Sequence, residues 1–518
     1  MSATLAATVP EHSGRPAWYR DRFALAVAGA FCLLNALTVA NHAMWRDEWE
    51  VFLAGRFNDS LVEAYNTLRY TGHPVLLGLC GWFLKALPGY PWPLKILHIL
   101  ATTTAVFLLV RWMPLTRWQR ALLAFGYFPL YEYGTILRDY APAMLAIVVA
   151  TLVFILPRRR PILFGIALAV GAQISLFNIA LGVPLAVAYV FDTRRWARRT
   201  GQPMPVAGLV IGGTILLAGA VLTYLQVRRP PDLFDTSQAR DAASTVAYLS
   251  TTVGAVWRSF VPFRLAGLWN TNFLDFFPEL EAALSVGIMA CMTAFLLRRP
   301  TALLFYLLGT SAVMVLCAYL GESSHIRHHG QTFVVFLLSL LLAGHTSAGA
   351  GPRFLHRWPP SVWARWQRMF VTAILGMQVL GATLAVIDEQ MRPFSGSEQA
   401  AEIVRLQSPP DIPIIGDTDF AMTSVAGCLD RPIFIACRGE YATFLKQDAR
   451  RSLEPLSRDE LFRRVNEFQS IQKRDVILIV NYGIQTPDIA RLLLGVVWSP
   501  VVLDERYEVY RVPYRPNP

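Results

Sequence analysis

The chain has 518 residues, 54% of them hydrophobic and only 16% charged, which is too apolar for a soluble protein of this size. Its net charge is +11, but the basic residues cluster in short loops between apolar runs. The positive-inside rule accounts for that pattern, and no nucleic-acid partner is implied.

The long apolar runs indicate a polytopic membrane protein. Residues 1–22 read as a cytoplasmic N-terminal segment without a cleavable signal peptide, because the first run, Phe23 to Ala40, is long enough to remain as an anchor. Spans are expected at 23–42, 93–112, 119–135, 140–157, 161–176, 177–192, 205–226, 279–297, 301–320, 329–346 and 369–388. A crossing helix needs ~20 residues, and 161–176 and 177–192 are the shortest of the set. Arg111, Arg117 and Arg120 fall inside. So do Arg158 to Arg160, Arg194 to Arg199, Arg298-Arg299 and the stretch from Arg353 to Arg368. The remaining connections and the C-terminal tail fall outside. This arrangement closes with an odd number of spans, about 11, and a cytoplasmic N-terminus. His73 to Leu87 is apolar but short, and turn residues bound it on both sides. It reads as a juxtamembrane or re-entrant helix on the outer face.

Two outer segments are long. One covers 43–92, where Trp45 and Trp49 fit a headgroup layer. The other covers 228–278, where Trp257, Phe260, Trp269, Phe273, Phe276 and Phe277 alternate with Arg258 and Arg264, a mixture suited to lying along the interface. Residues 23–388 thus form a mostly α transmembrane helix bundle, and 389–518 a small extracytoplasmic α/β domain. Ser397 to Leu406 and Arg458 to Phe468 look helical. Ile412 to Ile415, Pro432 to Ala436 and Val476 to Val480 are β-type runs, and Val501 to Tyr510 reads as a closing hairpin. Cys32, Cys80, Cys291 and Cys317 lie in apolar segments and read as small hydrophobes. Cys428 and Cys437 could pair in an oxidising compartment, but a strand is expected between them.

Four outer groups carry chemistry. They are Asp47-Glu48 after the first span, Arg69 to Pro74 with His73 at the re-entry, Tyr131-Glu132-Tyr133 with Arg138-Asp139-Tyr140 between two spans, and Glu322 to His329, which holds His325, Arg327, His328 and His329. Ionisable residues at such depths are functional candidates. Each has a bland counterpart. Asp47 with Arg46 is an exposed ion pair of ~0–1 kcal/mol. Arg138-Asp139 is a topology-pinning pair, and the histidines are loop residues. Three histidines invite a metal, but His328 and His329 are adjacent and point apart. Beside Arg327 they make a better phosphate site, because arginine offers a planar fork of donors. A divalent cation is therefore not indicated. No Gly-rich phosphate loop occurs.

The acidic pair after the first span, the re-entering Gly72-His73-Pro74 and the Arg138-Asp139-Tyr140 motif at a later span together resemble the membrane glycosyltransferases of the GT-C fold. The likeness is to the bacterial branch related to protein O-mannosyltransferases and lipid A aminoarabinose transferases, and it is carried by residues 20–200. The resemblance implies transfer of a sugar from a polyprenyl-phosphate-linked donor to a lipid, glycan or protein acceptor. The reaction would run on the outer face of a bacterial inner membrane, usually with inversion. It implies Asp47 as catalytic base, Asp139 or Glu132 as the second acidic position, and His73 as the re-entrant histidine. Arg327 with the histidines, or Arg138, would meet the departing phosphate. The second motif here is Arg-Asp-Tyr-Ala-Pro, whereas the family commonly has Glu-Ala-Arg.

Two rivals remain. A transporter or flippase would place charges or broken helices near the bilayer midplane, often in paired halves. A non-catalytic membrane protein would use the tail to bind a ligand. Mid-span charges are few, and no half-to-half symmetry is visible.

Overall fold

In lipid, backbone N–H and C=O groups must be satisfied within the segment, so apolar runs of this length become helices. The computed structural model describes residues 21–234, 242–320, 325–349, 351–352, 359–452, 454–484, 487–497 and 500–515. The segment 1–20, the Glu322-Ser323-Ser324 part of the fourth group, and Arg353 lie outside the described residues.

The first span is α1 (Arg22–Asn41). The outer segment that follows holds α2 (Arg46–Arg56), α3 (Leu61–Leu68) and α4 (Leu76–Leu84). Then come α5 (Trp92–Trp112), α6 (Arg117–Ala124) with a π-helical turn at Tyr127–Glu132, α7 (Tyr140–Phe154) and α8 (Pro161–Ala172). The bundle continues with α9 (Leu176–Thr200), α10 (Val206–Val227), α11 (Ala242–Gly254), α12 (Pro278–Leu296), α13 (Pro300–Leu320), α14 (Ile326–His345) and α15 (Pro360–Met391). Among the described residues eight helices are long and apolar enough to cross a membrane: α1, α5, α9, α10, α12, α13, α14 and α15. This is a multi-pass membrane protein. The other three expected spans fall on shorter helices. The run at 119–135 breaks at Phe125-Gly126 and turns π-helical, and α7 and α8 have 15 and 12 residues. Nine-residue α4 covers about 14 Å at the usual rise per residue, under half the bilayer core. It packs against α2 and α3 instead.

The bundle has two chemically distinct ends. Arg159 bonds Asp192 at 2.5 Å, and Thr301 bonds the same carboxylate at 2.8 Å. Arg299 reaches the Thr346 carbonyl at 2.9 Å, and Arg195 the Ala348 carbonyl. These bonds gather the basic loops at one end. The other end carries Asp47 and the C-terminal domain. Helix α14 connects the two, with Arg327 in its first turn and His345 in its last. Its 20 residues separate the ends by about 30 Å. It is also the most enclosed crossing helix, 89% buried, whereas α10 is 17% buried and forms a lipid-facing edge.

After α15 the chain forms α16 (Ser397–Gln407), β1 (Ile414–Gly416), α17 (Asp419–Leu429), β2 (Ile433–Ile435), β3 (Glu440–Ala442), α18 (Arg458–Gln472), β4 (Val476–Val480), β5 (Leu493–Val497) and β6 (Tyr507–Val512). The sheet order is β3-β2-β1-β4-β6-β5, parallel where β1 meets β2 and β4 and antiparallel elsewhere. The expected hairpin is corrected in one respect. Leu503–Glu505 is a 3-10 turn, and β6 pairs with β4 and β5, both of which lie earlier in the chain. Gly495 and the irregular register beside it hid β5 from the alternation pattern. All six cysteines are free thiols.

The two domains interlock at α2. Arg46 pairs with Asp504 at 2.5 Å, its backbone N–H donates to Glu505, and Arg56 forks onto Asp430. Trp49 lies on Gly427, where a side chain would collide with the indole. Trp45 packs edge-on against Trp269 and Phe394. The headgroup reading of Trp45 and Trp49 is therefore corrected. They are 3% and 6% exposed, Trp45 enclosed by Trp269, Arg327 and Phe394 and Trp49 packed on Gly427. The 228–278 segment is partly corrected too. Phe276 and Phe277 are exposed and fit the interface, but Arg258 is buried in a pair with Glu281, and Arg264 is buried over the Tyr131 ring.

Candidate active site at the junction of bundle and C-terminal domain

Asp47 and Glu48 open α2, where carboxylates favour the positive end of the helix dipole. Successive residues on a helix point ~100° apart, and the two carboxylates part company. Asp47 keeps about a quarter of its side chain accessible, 23%. Glu48 is fully buried. One of its oxygens caps the helix by accepting from the Trp45 N–H at 2.9 Å and bonds His42 Nε2 at 2.9 Å. The other accepts from the Leu137 N–H at 2.5 Å. The structure thus turns Glu48, expected beside Asp47 as a catalytic acid, into the core. His42 continues to Glu389 at the end of α15 at 2.5 Å, and Tyr131 donates to that carboxylate at 2.5 Å.

This chain of bonds sets the site. Glu48 is the neighbour of Asp47, and Leu137 is the neighbour of Arg138. One carboxylate therefore holds the two facing backbones in register. Glu48→Ala is expected to strand the Leu137 and Trp45 N–H groups and leave His42 facing Glu389 alone. Breaking buried charge contacts of this kind costs about 3–5 kcal/mol, read as a lowered thermal midpoint of the detergent-solubilised protein. An unchanged midpoint would contradict this role.

Arg138 Nη1 pairs with Asp47 at 2.7 Å, and its Nη2 donates to His73 Nε2 at 3.1 Å. Arg327 Nη1 approaches the same Asp47 oxygen at 3.7 Å. Burial works to raise the Asp47 carboxyl, but Arg138, Arg327 and Arg46 together outweigh it and hold Asp47 below the ordinary aspartate range. Burial, and after it the Arg138 guanidinium, push His73 below the usual imidazole range. His73 is therefore neutral and can accept the Arg138 bond. A pocket beside this pair is lined by Leu68, His73, Pro74, Leu137, Arg138 and Asp139.

Arg327 lies over two indoles that touch each other edge-on. It lies 5.5 Å from the Trp45 ring and 5.1 Å from the Trp269 ring. Its Nε and Nη1 have no hydrogen-bond partner among the described residues. A guanidinium stacked on indoles keeps its N–H edge for an anion. Glu132 is buried behind it, accepting from Tyr127 at 2.9 Å and from the Trp269 indole at 3.2 Å. It thereby orients the ring on which Arg327 rests.

The structure brings together Asp47, His73, Arg138, Asp139 and Arg327, with Glu132 in support. It keeps His325 and His328 close, ring centroids 5.8 Å apart, but turns the three histidines toward different neighbours. His325 precedes α14, His328 packs toward Tyr140 and Phe177, and His329 lies against the 255–259 turn, its carbonyl accepting from Ser259. Among the described residues no cluster of three or more His, Cys, Asp or Glu side chains suits a metal. Sequence reasoning read Trp269 only as an interface aromatic and missed His42, Glu389 and Glu50. Only the last carried a usable signal, its spacing of three from Asp47 on one helix.

Neither a protein-family model nor a curated protein sequence matches the chain. Solved structures do. The chain aligns with the crystal structure of ArnT from Cupriavidus metallidurans bound to undecaprenyl phosphate over 94% of its own length and 97% of that chain. The TM-score is 0.50 and the identity 14%. The apo state of the same protein aligns over equal shares at a TM-score of 0.49 and 15% identity. The match to the lipid-bound structure shows that the chain has the fold of ArnT, a lipid A aminoarabinose transferase of the GT-C fold.

Proposed function

We propose that the protein transfers a sugar from a polyprenyl-phosphate carrier to an acceptor at the outer face of a bacterial inner membrane. The observation that carries this reading is one carboxylate, Asp47, facing two guanidiniums, Arg138 and Arg327, at the end of the bundle opposite the basic loops. The fold is shared with a protein crystallised with undecaprenyl phosphate. The positive-inside rule puts the basic end in the cytoplasm and the Asp47 end, with residues 389–518, outside.

The chemistry follows from the charges. The carrier phosphate seats on the N–H edge of Arg327, and Arg138 flanks it. Arg327 is only loosely engaged with Asp47 at 3.7 Å, so an arriving phosphate draws it away. Asp47 then keeps one close partner and becomes a stronger base. It takes the proton of an acceptor hydroxyl as the oxygen attacks the anomeric carbon. The bond from that carbon to the phosphate oxygen breaks, and its electron pair leaves with the phosphate. The two guanidiniums stabilise that developing charge. Asp139, beside His73 and Arg138 in the pocket, orients the sugar or the acceptor. The phosphate link supplies the driving force, and the reaction as written needs no nucleotide.

The test is direct. Membranes carrying the protein should consume polyprenyl-phosphate sugars, and mass spectrometry should find a glycolipid or surface glycan that is lost when the gene is deleted. Identical glycan and lipid profiles with and without the gene would remove the reading.

A further inference from the structure

The site holds a carboxyl that the transfer chemistry leaves idle. Glu50 stands one turn beyond Asp47 on α2, and residues three apart share a helix face. It is 8% exposed. Its Oε1 is buried without a hydrogen-bond partner among the described residues. Gln447 and Arg451 of the C-terminal domain are its neighbours on that side. The segment around Gln447 is itself anchored to the bundle. The Gln447 carbonyl accepts from the Phe234 N–H, and Asp448 bridges Leu233. Glu50 therefore sits between the Asp47–Arg138 pair on one side and the C-terminal domain on the other.

The charged groups around it can be counted by element. Asp47 shares its helix, Arg138 comes from the turn before α7, and Arg451 comes from the C-terminal domain. Helix α4 brings no charged side chain. On α3, Glu63 caps its own helix. At the two ends of α17, Asp430 is tied to Arg56 and Asp419 faces Arg438. Burial first, and then the negative charge of Asp47, push the Glu50 carboxyl up to about 8. Two neighbouring carboxyls are thus held in opposite states near neutrality, Asp47 ionised and Glu50 protonated.

We propose that Glu50 is a positioning residue of this site, competing with Asp47 and the lipid phosphate for Arg138 and so setting how firmly an anionic lipid head is held. The inference rests on the function proposed above and deepens it. With Glu50 neutral, Arg138 serves Asp47 and the phosphate. With Glu50 ionised, a second negative charge enters the cage, divides Arg138 and repels the phosphate. The hold on the lipid head is therefore full below about pH 8 and falls as pH rises through that value.

The experiment measures undecaprenyl phosphate affinity of the full-length protein in nanodiscs from about pH 6 to about pH 9.5, for the parent and for Glu50→Gln. Across the upper half of that range the parent should lose ~tenfold or more in affinity relative to Glu50→Gln. The lipid's own ionisation is common to both proteins and cancels in the comparison. Infrared difference spectra between the two proteins should show a protonated-carboxyl band at neutral pH that the variant lacks. Superimposable affinity curves, loss of binding in Glu50→Gln at neutral pH, or absence of that band would each overturn the proposal. Failure of the donor reading is distinguishable, because the parent would then bind no undecaprenyl phosphate at any pH, and both would fall.

Discussion

Asp47→Asn is expected to abolish sugar transfer, a loss of ~10²–10⁴-fold or more, the range associated with a positioned general base. The amide fills the same space but cannot take the acceptor's proton. The protein should still insert, express and elute as the parent does, because Glu48 holds the α2 start and the Arg138 backbone independently of Asp47. Binding of undecaprenyl phosphate should persist or tighten. Asp47 and the phosphate call on the same two guanidiniums, and removing one competitor favours the other. Chemistry and lipid binding are thereby separated within a single variant. Near-parental turnover in purified Asp47→Asn would sink the assignment of the base.

Arg327→Ala should act on the opposite partner. Its guanidinium lies over the Trp45 and Trp269 rings and has donors to spare. Its loss removes both the seat for the phosphate and the charge that meets the leaving group. Removing one such stabilising donor costs ~10²–10³-fold in kcat, and here the KM for the lipid-linked donor should rise by ~tenfold or more while the KM for the acceptor changes little. Lysine should rescue only in part. A point charge lacks the flat face that the indoles hold and the paired N–H edge that phosphate needs. Equal donor KM values in variant and parent would contradict the role.

Much of the architecture was legible in the primary structure. Each of the 11 expected spans falls on a helical segment, because a backbone in lipid has few alternatives. Boundaries failed where local breakers intervened. Gly126 and Pro129 turn the 119–135 run into a short helix and a π-turn, and the register irregularity beside Gly495 masked β5. Arg327 was legible as a candidate for meeting an anion, and the structure adds its approach to Asp47. The roles of the neighbouring imidazoles were not, since their directions depend on how the first turn of α14 packs against Tyr140, Phe177 and Ser259.

The linear order of residues determined by itself the multi-pass class, the separation of basic loops from acidic ones, and the presence of Asp47, His73, Arg138 and Arg327 in connections of one sidedness. These follow from hydropathy and charge, which act residue by residue. Only the tertiary structure decided that Asp47 faces the arginines while Glu48 faces His42, that Trp45 and Trp49 are buried, by Trp269 and Phe394 and by Gly427, and that Glu50 is the second carboxyl beside Asp47. Those outcomes depend on helix rotation and on contacts between segments more than 80 residues apart, such as Leu137 on Glu48, which no local pattern encodes.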